Sequence, residues 1–385
     1  MTATLTERRT PPGFWAAWTA VAIDLLGFGI IIPLLPLYAE RFEASPFTIG
    51  LLFASYSLAQ FVLSPIWGRV SDRVGRRPVM LITIAGSAIG SLVVGLAGSL
   101  AMLFVGRIVD GASGASVAVA RATVADLAEP TERPRLMGLL GAAFGLGFVV
   151  GPSIGALATL WGPQVPFFVA AGLSLANLAV TIVRLPETRH GAVPAPHYRT
   201  RAGSQPRVVI RLVVLTFVAI TAFSAFETTF ALLADDRLGI SASEVALWFA
   251  GLGLVLVAVQ GGMVGPITER LGETNAIRLG LALNAVGFAA ISTANVWAVL
   301  VAGCVILALG QGILTPTLSS AVAGSTGSDG AGSALGFQQS AGGLARVTGP
   351  LMGGALFAVS TPVPFLVAAV LTLAVLPIVP VAESE

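Results

Sequence analysis

The chain contains no lysine; all 21 of its basic residues are arginine. That bias reads as base composition of the coding gene and not as a nucleic-acid-binding surface, and it removes any GxxxxGK[ST] phosphate loop, which needs its lysine. Cysteine is almost missing too. Cys304 stands alone in an apolar run, which excludes a disulfide framework and a thiolate metal site and leaves a small buried side chain. The two histidines, His190 and His197, share one polar stretch, so no histidine is available for Ser/His or Cys/His pairing within the apolar segments. Charge of either sign is scarce at 10% of residues against 55% hydrophobic, and mean hydropathy is +0.89. No cofactor, metal, ATP site or enzyme chemistry is expected.

What remains is a succession of apolar runs of about 20 residues, the length with which a helix crosses a bilayer core. Open strands leave backbone groups unsatisfied in lipid, and no ten-residue alternation suggests a barrel. Twelve spans are expected, at about 14–37, 47–67, 79–98, 100–126, 136–158, 165–184, 209–234, 244–264, 276–294, 296–323, 332–357 and 362–381. Arg8 and Arg9 precede the first run as in a signal peptide, but the run is too long and no small-residue cleavage pattern follows, so it reads as an uncleaved helix.

Arginines outside the spans cluster on one face, among them Arg69, Arg73, Arg76, Arg77, Arg133, Arg135 and Arg270, with only Arg41 and Arg237 on the other. The positive-inside rule makes the rich face, and both termini, cytoplasmic. Residues 185–208, rich in proline and arginine, read as a linker between halves 1–184 and 209–385. The halves resemble each other. Gly68, Asp72, Arg73 and Gly75 recur as Gly265, Glu269, Arg270 and Gly272 (265 − 68 = 197), and Gly138, Gly151, Pro152 and Gly155 recur as Gly336, Gly349, Pro350 and Gly353 (349 − 151 = 198). Two motifs sharing nearly one offset indicate duplication, and parallel six-helix repeats about a membrane-normal axis are the architecture of the major facilitator superfamily.

Between the second and third spans, Gly68 to Pro78 forms a charged hinge. Gly68 and Gly75 permit a tight reversal, Pro78 suits a first helical turn, and Asp72 can face a helix N-terminus. In span 5, Gly147, Gly151 and Gly155, with Pro152, make a smooth stripe for close helix approach. In span 4, Arg107 and Asp110 are three apart on one face. Each buried charge costs about 2.5–3.5 kcal/mol at a helix centre, which argues that neither is idle. Asp24 is a lone acid in apolar span 1 and the first candidate for carrying a proton. Glu227 in span 7 is the second, placed nearer the outer side, where a structural or solvated role is equally open. Arg346 is a deep charge in span 11, with Glu227 its suggested partner.

These residues carry a resemblance along nearly the whole chain. The hinge resembles the signature loop of the major facilitator superfamily, which implies a gate latch in which Asp72 engages the start of helix 11 near Gly332 and Arg76 pairs with Asp126. Gly147 to Gly155 resembles the motif of its antiporter branch, and Arg107 to Gly114 its fourth-helix motif, whose arginine is linked to proton coupling. Asp24 to Pro36, Gly141 to Gly147 and Ala250 to Leu254 are most similar to bacterial tetracycline–proton antiporters. Where those carriers have acids in helices 3 and 9 this chain has Gly90 and Asn284, and Leu256 replaces a histidine in helix 8; Asp110 and Glu227 are acids those carriers do not show.

The resemblance implies an all-α membrane protein of two pseudo-symmetric six-helix bundles, an inner-membrane exporter of small amphipathic cationic or zwitterionic compounds in exchange for protons, functional as a monomer. Tyr56, Gln60, Gln260, Asn284, Gln311, Gln338, Gln339 and Arg346 are expected either to line its cavity or to bond one helix to another, because polar groups in spanning helices face the bundle or a wet pathway. An exporter of a dedicated metabolite or sugar shows the same signatures. A proton symporter fits the fifth-helix motif less well, and a scaffold or receptor has no need of buried charges in several helices.

Overall fold

The computed structural model describes residues 10–11, 13–129, 132–188, 206–326 and 331–380. No strand occurs among them. The helices are α1 (Phe14–Glu40), α2 (Pro46–Val74), α3 (Arg76–Gly95), α4 (Leu100–Ser113), α5 (Ser116–Leu127), α6 (Arg133–Ala158), α7 (Val165–Arg184), α8 (Pro206–Leu238), α9 (Ala242–Gly262), α10 (Val264–Ser292), α11 (Trp297–Gly324), α12 (Ala331–Val359) and α13 (Val363–Ala374). Ten segments are long and apolar enough to cross a membrane, with α4 and α5 counted as one. The twelve are completed by α12, made more polar by Gln338, Gln339 and Arg346, and by the shorter apolar stretch Val363–Ile378. Most of the expected linker, 189–205, lies outside the described residues.

The fourth span is not one continuous helix. It breaks at Gly114–Ala115, and α2 satisfies the released carbonyls: Gln60 Nε2 donates to Gly114 O at 2.7 Å and Trp67 Nε1 to Ala112 O at 2.7 Å. Such a break is tolerated in a spanning segment only where side chains take over the freed backbone groups. The hinge is also more helical than its charge suggests. Gly68 sits inside α2 with open space around it, so it is not needed for a reversal; Gly75 alone makes the turn, at φ 113°. In the second half α10 runs through the equivalent hinge with a kink at Gly272, φ 76° and ψ 160°.

Glycine brings α1 and α6 into backbone contact. A Cβ on Gly29 would sit 2.3 Å from Gly147 O, and one on Gly151 2.9 Å from Gly29 Cα. No larger residue fits, which is the physical content of that stripe. The second half repeats the contact, with Gly349 and Gly353 against Thr221 and Ala225 of α8.

The apolar cores differ between the two ends of the molecule. At the end away from the hinges one cluster unites both halves, with Ile31, Leu35, Tyr38 and Phe53 joining Phe226, Phe230, Phe249 and Phe365. At the hinge end each half keeps its own core, around Val21, Met80 and Val119 in one and Leu212, Leu281 and Leu314 in the other. At the joined end, a Cβ on Gly50 would lie 2.4 Å from Pro350 O and one on Gly354 2.4 Å from Pro46 O, so α2 and α12 touch through their backbones. Among the described residues the halves are closed against each other there, and at the arginine-rich end each packs about its own core.

Candidate functional site

At mid-depth, charged side chains from both halves converge. Arg107 of α4 is 2% exposed at the side chain, reaches Asp110 at 3.1 Å and lies 4.1 Å above the ring of Tyr56 from α2. Its Nε is buried without a protein partner. A guanidinium tolerates such burial when a carboxylate and an aromatic face replace water. Asp110 also faces Ser87 of α3. The helices α3 and α4 meet tightly at this point: a Cβ on Gly90 would be 2.6 Å from Asp110 Cβ. Gly90 is therefore the residue that admits Asp110, and an acid at position 90 would occupy the same space.

Asp24 of α1 is half-buried, and Ser116 at the first turn of α5 donates to its carboxylate. It lies within electrostatic reach of Asp110 and Tyr56. The break between α4 and α5 places Ser116 there, so Gln60 serves Asp24 indirectly by holding that break. From the second half, Glu227 and Ser224 of α8 and Arg346 of α12 line one small space with Tyr56 and Arg107. That space is about 30 Å³, room for a single water and not for an organic solute. Glu227 and Arg346 share it without forming an ion pair within 4 Å among the described residues.

The amides divide. Asn284, fully buried, donates to Gln311 at 3.0 Å inside the second half, and Gln338 donates to Thr216 at 3.0 Å. Gln60 is committed to Gly114. These four, expected at the cavity wall, hold helices to one another in this structure, because each finds a protein partner within its own half. Gln260 and Gln339 are exposed.

The hinge is a tied junction. Arg76, 5% exposed at the side chain, contacts Asp126 of α5 at 2.8 Å, Asp72 at 2.7 Å and Ser71 at 2.7 Å. Arg77 donates to Ile182 O, and Arg73 points into solvent. Glu187, just beyond α7, accepts from the backbone N–H of Arg76 at 2.9 Å and of Arg77 at 3.1 Å. It caps α3 as a charge at a helix N-terminus does, and it lies so close to Gly75 that a Cβ there would be 2.4 Å away. The side chains at 331–332, where Asp72 was expected to latch, lie outside the described residues. Sequence reading missed Glu187, which sits in the apparent linker with no local signal. It also missed Arg121 of α5, although a lone charge in an apolar span is the same signal that singled out Asp24.

Two helical bundles, packed together at one end about ionisable groups drawn from both, define a multi-pass membrane transport protein. The chain belongs to the Major Facilitator Superfamily, whose family model matches residues 17–262 and 212–383; the family is one of transporters of small molecules and not of enzymes. It is 32% identical to the class B tetracycline resistance protein of Escherichia coli over 89% of this chain and 87% of that one. It is 28% identical to multidrug resistance protein 2 of Bacillus subtilis, over 90% and 89%. Among solved structures it resembles the human organic anion transporter MFSD10 (TETRAN), with a TM-score of 0.73 and 25% identity over 96% and 100%.

Proposed function

We propose that the protein is a proton-coupled exporter of small amphipathic organic compounds, a drug or multidrug antiporter of the inner membrane acting as a monomer with both termini cytoplasmic. Residues 1–184 and 209–385 rock about the central site, joined by the linker 185–208, and the structure described here then opens to the cytoplasm. The observation that carries the reading is the convergence of Asp24, Arg107, Asp110 and Glu227 where the halves meet. Carboxylates placed there can exchange a proton with whichever side has access, and a cationic or zwitterionic substrate competes for the same charge. Gly68, Asp72, Arg73, Gly75, Arg76, Arg77 and Asp126 act as the gate, and Gly147, Gly151, Pro152 and Gly155 hold α1, with its Asp24, rigidly against α6. The names of the tetracycline and multidrug resistance relatives support export of drugs.

A second reading, export of one dedicated metabolite or organic anion, is favoured by the likeness to the human organic anion transporter. The test is substrate-induced proton release from everted membrane vesicles with a panel of drugs and a pH-sensitive dye. Several unrelated cations are expected to release protons with the wild type and none with Asp24→Asn. Silence of the wild type across the panel would overturn drug export and favour the dedicated substrate.

A further inference from the structure

A groove of about 500 Å³ lies between α9 and α11, away from the central site, and its size falls in the range of about 300–1,000 Å³ that holds small organic ligands. Its floor includes Leu252 and Cys304, both buried members of the core that unites the halves. Leu247 and Val301, 56% and 40% exposed, form its rims. Because the halves share one core at this end, apolar side chains exposed on α9 and α11 face outward, to lipid. The groove runs from the first turn of each helix about 10–12 Å toward the bilayer centre, seven or eight residues of helical rise.

The mouth is polar. Glu244, in the first turn of α9, caps its own helix through Oε2, which accepts from the backbone N–H of Ser241 at 2.8 Å and from its hydroxyl at 2.6 Å; Oε1 is left for a ligand. No basic side chain lines the groove, so Glu244 is its one charge among the described residues. One turn further in, Trp248 stacks on Trp297, the first residue of α11, with centroids 5.6 Å apart. Trp18 and Trp67 donate to backbone carbonyls, whereas the indole N–H groups of Trp248 and Trp297 meet no protein acceptor among the described residues. Beside them α11 begins at Val296 without a side-chain cap, which adds free backbone N–H groups and the positive end of the helix dipole.

We propose that this groove binds a phospholipid with a primary-ammonium headgroup, one acyl chain lying over Leu252 and Cys304, the ammonium on Glu244 and the phosphate on the indole N–H groups and the first turn of α11. The arrangement of donors and acceptor selects that occupant. A primary ammonium has N–H donors for a carboxylate, which a trimethylated one lacks. An anionic lipid without the amine brings like charge to Glu244. A purely cationic amphiphile leaves the indole and helix N–H groups unmet. The bound chain packs against the core that unites the halves, so binding favours the arrangement in which they are joined at that end. This site stands apart from the export reading.

The test is native mass spectrometry of the purified full-length protein, released from micelles holding equal amounts of phosphatidylethanolamine and phosphatidylglycerol. Wild type is expected to retain phosphatidylethanolamine about tenfold or more over phosphatidylglycerol, the scale of one charge-assisted hydrogen bond. Glu244→Gln, which keeps the capping box because glutamine accepts the same bonds, is expected to bring that ratio close to one. A Cβ at Gly251 meets nothing within 4 Å, so Gly251→Phe fills the groove without disturbing the helices. It is expected to lower retained phosphatidylethanolamine about tenfold, with helix content by circular dichroism unchanged. Equal retention of the two lipids by wild type, a preference that survives Glu244→Gln, or retention unchanged by Gly251→Phe would overturn the site. So would a lipid-free dimer that Gly251→Phe dissociates, which would place a second copy of the chain in the groove.

Discussion

The contact of α3 with α4 and that of α10 with α11 are one design built twice, 197 residues apart. Gly90 meets Asp110 as Gly287 meets Leu307, and Gly106 meets Val94 as Gly303 meets Ile291 (287 − 90, 307 − 110, 303 − 106 and 291 − 94 all equal 197). The glycines fix the same close approach in both halves. The chemistry laid over it differs: at the places of Arg107 and Asp110 the second half has Cys304 and Leu307, both buried. The hinges differ in the same sense. Gly75 and Gly272 both take positive φ, but Arg76 is tied to Asp126 and Asp72, whereas its counterpart Glu273 accepts from Ser320 in α11. Duplication has kept the backbone frame, and charge has been concentrated in one copy.

The largest effect is expected where that charge is unbalanced. Arg107→Leu leaves Asp110 buried without its cation and should cost about 3–5 kcal/mol, measured as thermal unfolding of the detergent-solubilised protein. The double substitution Arg107→Leu, Asp110→Leu, which makes the first half resemble the second, should recover most of that stability while proton-coupled transport stays lost. A double variant as unstable as the single one would show that the two residues do not act as a pair.

Next come the glycines that the halves share. Gly90→Ala and Gly287→Ala each place a Cβ within 2.7 Å of a facing helix and should cost about 1–3 kcal/mol by overpacking. The costs should be alike in the two halves, because the contact is with backbone in both. Unequal costs would mean that the frames are less equivalent than their offset implies. At the hinges the prediction reverses: Arg76→Gln should slow transport, since it removes the contacts to Asp126, Asp72 and Ser71 at once, and Arg270→Gln, at an exposed position, should not.

This division explains how much of the molecule was legible in the sequence. Hydropathy and a repeated offset suffice for twelve spans in two bundles, because lipid forces every backbone group into a helix and a duplicated frame repeats its glycines. Asp24, Arg107, Asp110, Glu227 and Arg346 stand out because charge in an apolar run is rare. Which polar groups face each other is not legible. Gln60, Asn284, Gln311 and Gln338 look like cavity residues in sequence and are bonded within their own halves, and only the broken fourth span reveals why Gln60 is needed. Glu187 is in contact with Gly75 across more than a hundred residues of chain, and no local pattern encodes that. Arg121 was as visible as Asp24, but it was absorbed into the reading of span 4 as a continuous helix.

The smallest effect is expected at Cys304, and it tests the comparison from the silent side. Cys304 occupies the place of Arg107 and packs within the core that joins the halves, with no ion-pair partner for that position among the described residues. Cys304→Ala removes one sulfur from a well-packed site and should cost about 1 kcal/mol, the scale of a single buried methylene, with proton release from everted vesicles unchanged. If the substitution instead abolished proton release while the protein stayed folded, the second copy of the helix pair would be part of the coupling machinery, and the confinement of chemistry to the first copy would have to be abandoned.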